Sequence, residues 1–183
     1  MSESSNLRQK TASGLIWSFS DLIANQGIQF IIQVILARLL LPEDFGLIGM
    51  ITIFISLSTT FIDSGFSQAL IREQAPKQED LSTVFFFNLG MAFTLYAALF
   101  LLAPLISDFF REPKLIGILR VLSLVLIINS FGIIQRVMLV RRIDFKTQTK
   151  ISLIASIVSG IVAVALAYFG LGVWSLVIRT LTM

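Results

Sequence analysis

The most constraining feature of this chain is the recurrence of long apolar runs separated by short polar turns. Residues 41–72, LPEDFGLIGMITIFISLSTTFIDSGFSQALIR, are the clearest case. Between Phe45 and Ile71 there is no proline, and Asp63 is the sole ionisable residue. At ~1.5 Å per residue a helix over 44–71 is about 40 Å long, enough to cross a hydrocarbon core of about 30 Å. With about 100° of rotation per residue, Gly49, Thr52, Ser56, Thr59, Thr60, Asp63 and Ser67 share one face, while Ile48, Ile51, Phe54, Ile55, Leu57, Phe61 and Ile62 cover most of the rest. The polar face is expected to avoid lipid.

Composition places the whole chain in the same class. Of 183 residues, 56% are hydrophobic and 14% charged, and the mean hydropathy is +0.89. A soluble domain of this size could not bury so many apolar runs in one core. Cysteine and histidine are absent, so there is no disulfide framework, no thiolate nucleophile, no histidine-based metal site and no imidazole acid or base. No cofactor, metal or nucleic-acid partner is expected.

The polar segment 1–10 carries Arg8 and Lys10 and lacks a cleavage site, so it reads as a cytoplasmic tail and not a cleaved signal peptide. The first helix is expected over 11–40, with Gly14, Ser18, Asp21, Asn25, Gln29 and Gln33 on one face. That stripe either lines a water-filled cavity or joins helices by interhelical hydrogen bonds. A third helix over 81–109 is rich in phenylalanine that suits lipid, and Pro104 should weaken its last turns. A fourth covers 115–140. Its Arg120 either lines a cavity or snorkels to the headgroups, with Asn129 on the opposite face.

Arg136, Arg141, Arg142, Lys146 and Lys150 then form a basic cytoplasmic rim, read either as topology alone or as a contact for anionic lipid. A fifth helix over 151–169 places Ser152, Ser156 and Gly160 at four-residue spacing, a close-packing pattern. The helix over 173–183 is about eleven residues long, some ~17 Å, too short to cross. The expected architecture is an all-α integral membrane bundle of five full transmembrane helices and a truncated sixth. The excess of Lys and Arg on the side of the N-terminus places that terminus in the cytoplasm. Glu73, Glu79 and Asp80 lack the helical spacing of a Mg²⁺-holding carboxylate cluster, and Asp21 and Asp63 lack the setting of an intramembrane protease, so no enzyme is expected.

Several stretches are familiar as words. LPEDFGLIGM, IDSGFSQALIR, APLISDFFREPKLIGILRVLSL, RRIDFK and FGLGVWSL together resemble Wzx-type polysaccharide flippases of the multidrug/oligosaccharidyl-lipid/polysaccharide exporter superfamily. The resemblance implies the N-terminal lobe of a two-lobed transporter that moves an undecaprenyl-diphosphate-linked oligosaccharide across a bacterial inner membrane by alternating access. It matches Asp21 to an acid used for coupling in related exporters. Related lipid flippases carry arginines deep in their first helix, but here no cation lies between Lys10 and Arg38, so diphosphate capture falls to Arg120, Arg179 or a second lobe.

The candidate cavity residues are thus Asp21, Asn25, Gln29, Ser56, Thr59, Asp63, Arg120 and Arg179. The expected partners are a lipid-linked oligosaccharide, membrane lipids, and a second lobe or a homodimer partner. The chain is expected to be a fragment that does not transport alone. The alternatives are a cation-coupled multidrug exporter and a non-transporting membrane scaffold.

Overall fold

The computed structural model describes residues 22–63, 78–141 and 145–183. Among these, every regular element is a helix: α1 (Leu22–Leu39), α2 (Pro42–Asp63), α3 (Gln78–Phe110), α4 (Leu115–Leu122), α5 (Leu124–Arg141), α6 (Phe145–Tyr168) and α7 (Val173–Thr182). Five spans are long and apolar enough to cross a membrane: α1, α2, α3, the α4–α5 pair and α6. α7 is a shorter apolar helix. The protein is an all-α integral membrane bundle.

Local chemistry sets the helix ends. Pro42 opens α2, where its missing N–H costs nothing, and the Leu41 N–H donates to Asp44 Oδ2 at 3.2 Å, so an acid closes the positive end of the helix. α6 ends in a Schellman turn: the Leu171 N–H donates to the Leu166 carbonyl at 3.2 Å and the Gly170 N–H to Ala167 at 3.0 Å, with Gly170 at φ 78°. The same pair of bonds ends α3, from Glu112 to Ser107 and from Arg111 to Asp108, but there a non-glycine residue, Arg111, takes the left-handed position at φ 57°.

The largest departures from expectation are in the fourth and fifth expected helices. The single helix expected over 115–140 is interrupted at Ser123, whose hydroxyl donates to the Arg120 carbonyl at 3.1 Å, while the Leu126 N–H turns back to the Ser123 carbonyl at 3.0 Å. Serine back-bonding of this kind loosens the helical ladder. α6 begins at Phe145, earlier than the 151 expected. Nothing in FKTQTK stops a helix, so Lys146 and Lys150 extend α6 beyond its apolar stretch and are not loop residues.

α7 was expected to be a short terminal remnant, but it is central. It packs against α2, α4, α5 and α6. Val173 and Val177 join Leu47, Ile51, Ala103 and the buried leucines of α4 in one apolar cluster, and Leu176 joins Ile32, Leu36, Leu40, Ala163 and Ala167 in another. α1 and α6 approach closely at Gly160, where an added Cβ would collide with the Ile32 side chain. Phe86, Phe93, Leu101 and Leu105 of α3 stay exposed, as a lipid-facing surface allows.

Candidate functional site

The site lies where the polar face of α1 meets α7. Leu176 and Val177 are buried in the two clusters, so the next turn of α7 lifts Arg179 out of the core towards α1. Arg179 Nη1 donates to Gln33 Oε1 at 3.0 Å, and the guanidinium is half-buried. Gln26, Gln29, Phe30, Gln33 and Arg179 line a cavity of about 510 Å³. Arg179 and Gln33 also face a second cavity of about 370 Å³, walled by Phe45 and Ile48 of α2, Val125 and Asn129 of α5, and Thr180 of α7. Asn129 in turn borders a third cavity of about 400 Å³ together with Thr59 and Ser130. Among the described residues, the side chains around Arg179 supply one cation, several amides and no carboxylate. Such an arrangement can bind an anion through charge and amide N–H donors without committing an acid to the contact.

Two of the sequence candidates, Gln29 and Arg179, meet in this site. Asn25 has another role. Its amide donates to Ser152 Oγ, and Ser156 Oγ donates to Asn25 Oδ1 at 2.8 Å, so it fastens α1 to α6. Within the α1 stripe, Gln29 and Gln33 thus border a cavity while Asn25 joins two helices.

The α2 stripe is turned away from the core. Thr52 and Ser56 are exposed, as is Thr60, and Thr52, Thr59 and Thr60 return their hydroxyls to carbonyls of their own helix at 2.7–2.9 Å. Thr59 and Gln33 line different cavities. Arg120 stays apart from Arg179: its guanidinium carbon lies 4.2 Å from the Phe100 ring centroid, and its Nε donates to the Phe100 carbonyl at 3.4 Å.

Asp21 and Arg142 lie outside the described residues, as do the side chains of Asp63, Arg136, Arg141 and Lys146. Lys150 is exposed on α6. Among the described residues no group of three or more His, Cys, Asp or Glu gathers at one point.

Sequence reasoning left Gln26, Gln33, Asn129 and Thr180 out of the candidate set. Gln33 carried the detectable signal, being on the same stripe as Gln29. Nothing in the sequence tied Asn129 or Thr180 to Arg179, because only the packing of α5 and α7 brings them there.

On the opposite side of α1, Ile28, Ile31, Ile32 and Ile35 form with Ile157, Ile161 and Val164 of α6 an open apolar groove of about 630 Å³. α1 thus separates a polar pocket holding a cation from a groove of pure hydrocarbon character.

Comparison with known proteins gives this arrangement a context. The chain is 30% identical over 160 residues to the succinoglycan biosynthesis transport protein ExoT of Rhizobium meliloti (strain 1021), covering 87% of this chain and 32% of that protein. It is 29% identical over 140 residues to the lipopolysaccharide biosynthesis protein WzxC of Escherichia coli (strain K12), covering 76% and 28%. With the teichuronic acid biosynthesis protein TuaB of Bacillus subtilis (strain 168) it shares 29% identity over 105 residues, 57% and 22% of the two chains. The chain spans about a third of the length of the first two relatives. No solved structure matches it. The polysaccharide biosynthesis protein family model matches residues 35–183, through α2 to α7 and the end of α1, and the chain belongs to that family.

Proposed function

We propose that this chain forms the N-terminal lobe of a flippase that moves an undecaprenyl-diphosphate-linked oligosaccharide across a bacterial inner membrane for surface polysaccharide synthesis. The observation that carries the reading is Arg179, a cation held by Gln33 among amides within the bundle. An isolated charge there is expensive, so its retention suits a functional contact with an anion, for which the diphosphate linkage fits. The groove on the far side of α1 supports the lipid part of the substrate, since its lining is apolar and only one helix separates it from the polar pocket. A drug exporter would favour acidic side chains in the lumen, whereas the described walls around Arg179 hold none.

The exposed hydroxyls of α2 supply a polar surface for a second lobe or a second copy to cover, and Asp21 and Asp63 are the groups proposed for proton or cation coupling. The test is polysaccharide export in a strain lacking its own flippase. In a two-lobed protein whose first lobe is this chain, the Arg179→Gln variant should insert normally yet accumulate unflipped lipid-linked oligosaccharide, while Arg179→Lys retains part of the activity. Full export by Arg179→Gln would reject the site. The N-terminus-inside orientation predicts that reporter fusions at Glu43, Pro76, Pro113 and Asp144 read outside, inside, outside, inside. A periplasmic signal at Asp144 would overturn that orientation.

A further inference from the structure

Pro104 lies inside α3, four residues after Phe100. Proline has no backbone N–H, so the Phe100 carbonyl loses the helical donor that residue 104 would otherwise supply. In hydrocarbon no water replaces that bond, and the group must find a partner within the protein. The partner comes from another helix. Arg120 of α4 donates its Nε–H to this same carbonyl at 3.4 Å, the long end of hydrogen-bonding distance, and its guanidinium carbon sits 4.2 Å from the Phe100 ring centroid. Ring and carbonyl of one residue therefore hold the same planar cation, by stacking and by a charge-assisted bond.

The main chain of Arg120 is engaged as well. Its carbonyl accepts the Ser123 hydroxyl at 3.1 Å, at the interruption between α4 and α5. One residue thus touches the irregular point of α3 with its side chain and the irregular point of α4–α5 with its backbone. Packing of Leu115, Ile118, Leu119 and Ala103 in one cluster keeps the two helices together around it.

We infer that Arg120 is a positioning residue that replaces the donor α3 loses at Pro104 and ties this weak point to the break at Ser123, so that the two interruptions move as one unit. Arginine is required because the role needs a planar group that stacks while its Nε–H points at a backbone carbonyl, which the compact ammonium of lysine does not reproduce. A cation kept only to reach lipid phosphate would have no such requirement.

A double-substitution cycle on the full chain, solubilised from membranes in mild detergent, tests this. Arg120→Ala should lower the melting temperature by about 3 °C or more. Pro104→Ala restores an N–H to Phe100, and in that background the same Arg120→Ala change should cost less than half as much. Should Arg120→Ala alone fail to accumulate, the doubly substituted chain is expected to accumulate. An equal loss in both backgrounds, or failure of both to accumulate, would overturn the inference. Arg120→Lys should remain near Arg120→Ala, with or without phosphatidylglycerol vesicles. Recovery to the original melting temperature by Arg120→Lys in those vesicles would instead assign Arg120 to lipid headgroups and reject the inference.

Discussion

Arg120 and Arg179 both sit within apolar helices of this bundle and are engaged in opposite ways. Arg120 turns onto a neighbouring helix, where the Phe100 ring and carbonyl take up its stacking face and its Nε–H. Arg179 meets a neutral side-chain oxygen, Gln33 Oε1, at the edge of two cavities. The difference lies in the partner. A backbone carbonyl left without a donor needs its cation permanently, whereas a glutamine amide can turn its N–H groups or its oxygen to whatever enters. A charge in a membrane helix therefore does not by itself mark a substrate site, and what it is bonded to separates the two cases.

Exchanging the charges one at a time tests that contrast most severely. Arg179→Gln removes charge-assisted contacts worth about 1.5–3 kcal/mol, so export should fall by about 10- to 100-fold with little loss of thermal stability. Arg120→Gln should do the reverse, lowering stability more than it lowers export per folded molecule. Equal effects of both changes on both readouts would erase the distinction.

A smaller effect is expected at the anchor of the polar wall. Asn25→Leu breaks the bonds to Ser152 and Ser156 and should cost about 1–2 kcal/mol of stability, with export reduced because the Gln26–Gln33 wall of the pocket is no longer fixed to α6. Retained stability and export would mean that the Gly160–Ile32 contact alone holds the seam. The smallest effect belongs to the α3–α4 end. Arg111→Gly relieves a left-handed residue and should raise stability by about 0.5–1 kcal/mol without changing export, as thermal melting would show. Destabilisation there would mean that the Arg111 side chain contributes to the turn.

The α1 stripe shows how much of the site was legible in the sequence. Periodicity groups Asn25, Gln29 and Gln33 correctly on one side, because helical rotation is a local property. It cannot say that Asn25 meets serines on α6 while Gln33 meets Arg179 on α7, because partners 131 and 146 residues apart depend on packing. The α2 stripe carried the same signal with a different outcome: Thr52 and Thr60 satisfy themselves on their own helix and face outward. Asn88, a lone amide in the phenylalanine-rich part of α3, is fully buried, and neither of its amide atoms has a hydrogen-bond partner among the described residues. Sequence position offered no hint of that.

The class of the molecule was determined by the sequence alone. Apolar runs long enough to cross hydrocarbon must become helices, because the membrane interior leaves a single-strand backbone no other way to satisfy its own hydrogen bonds. Turn positions followed from the same local chemistry, with Pro42 opening α2 and Gly170 closing α6. Only the tertiary structure decided that the short helix α7 packs against four others, and that Arg179 and Arg120 take different partners. In a bundle whose faces are nearly all apolar, hydrophobic patterning hardly distinguishes one neighbour from another. Small residues such as Gly160 and a few polar contacts between helices choose the partners.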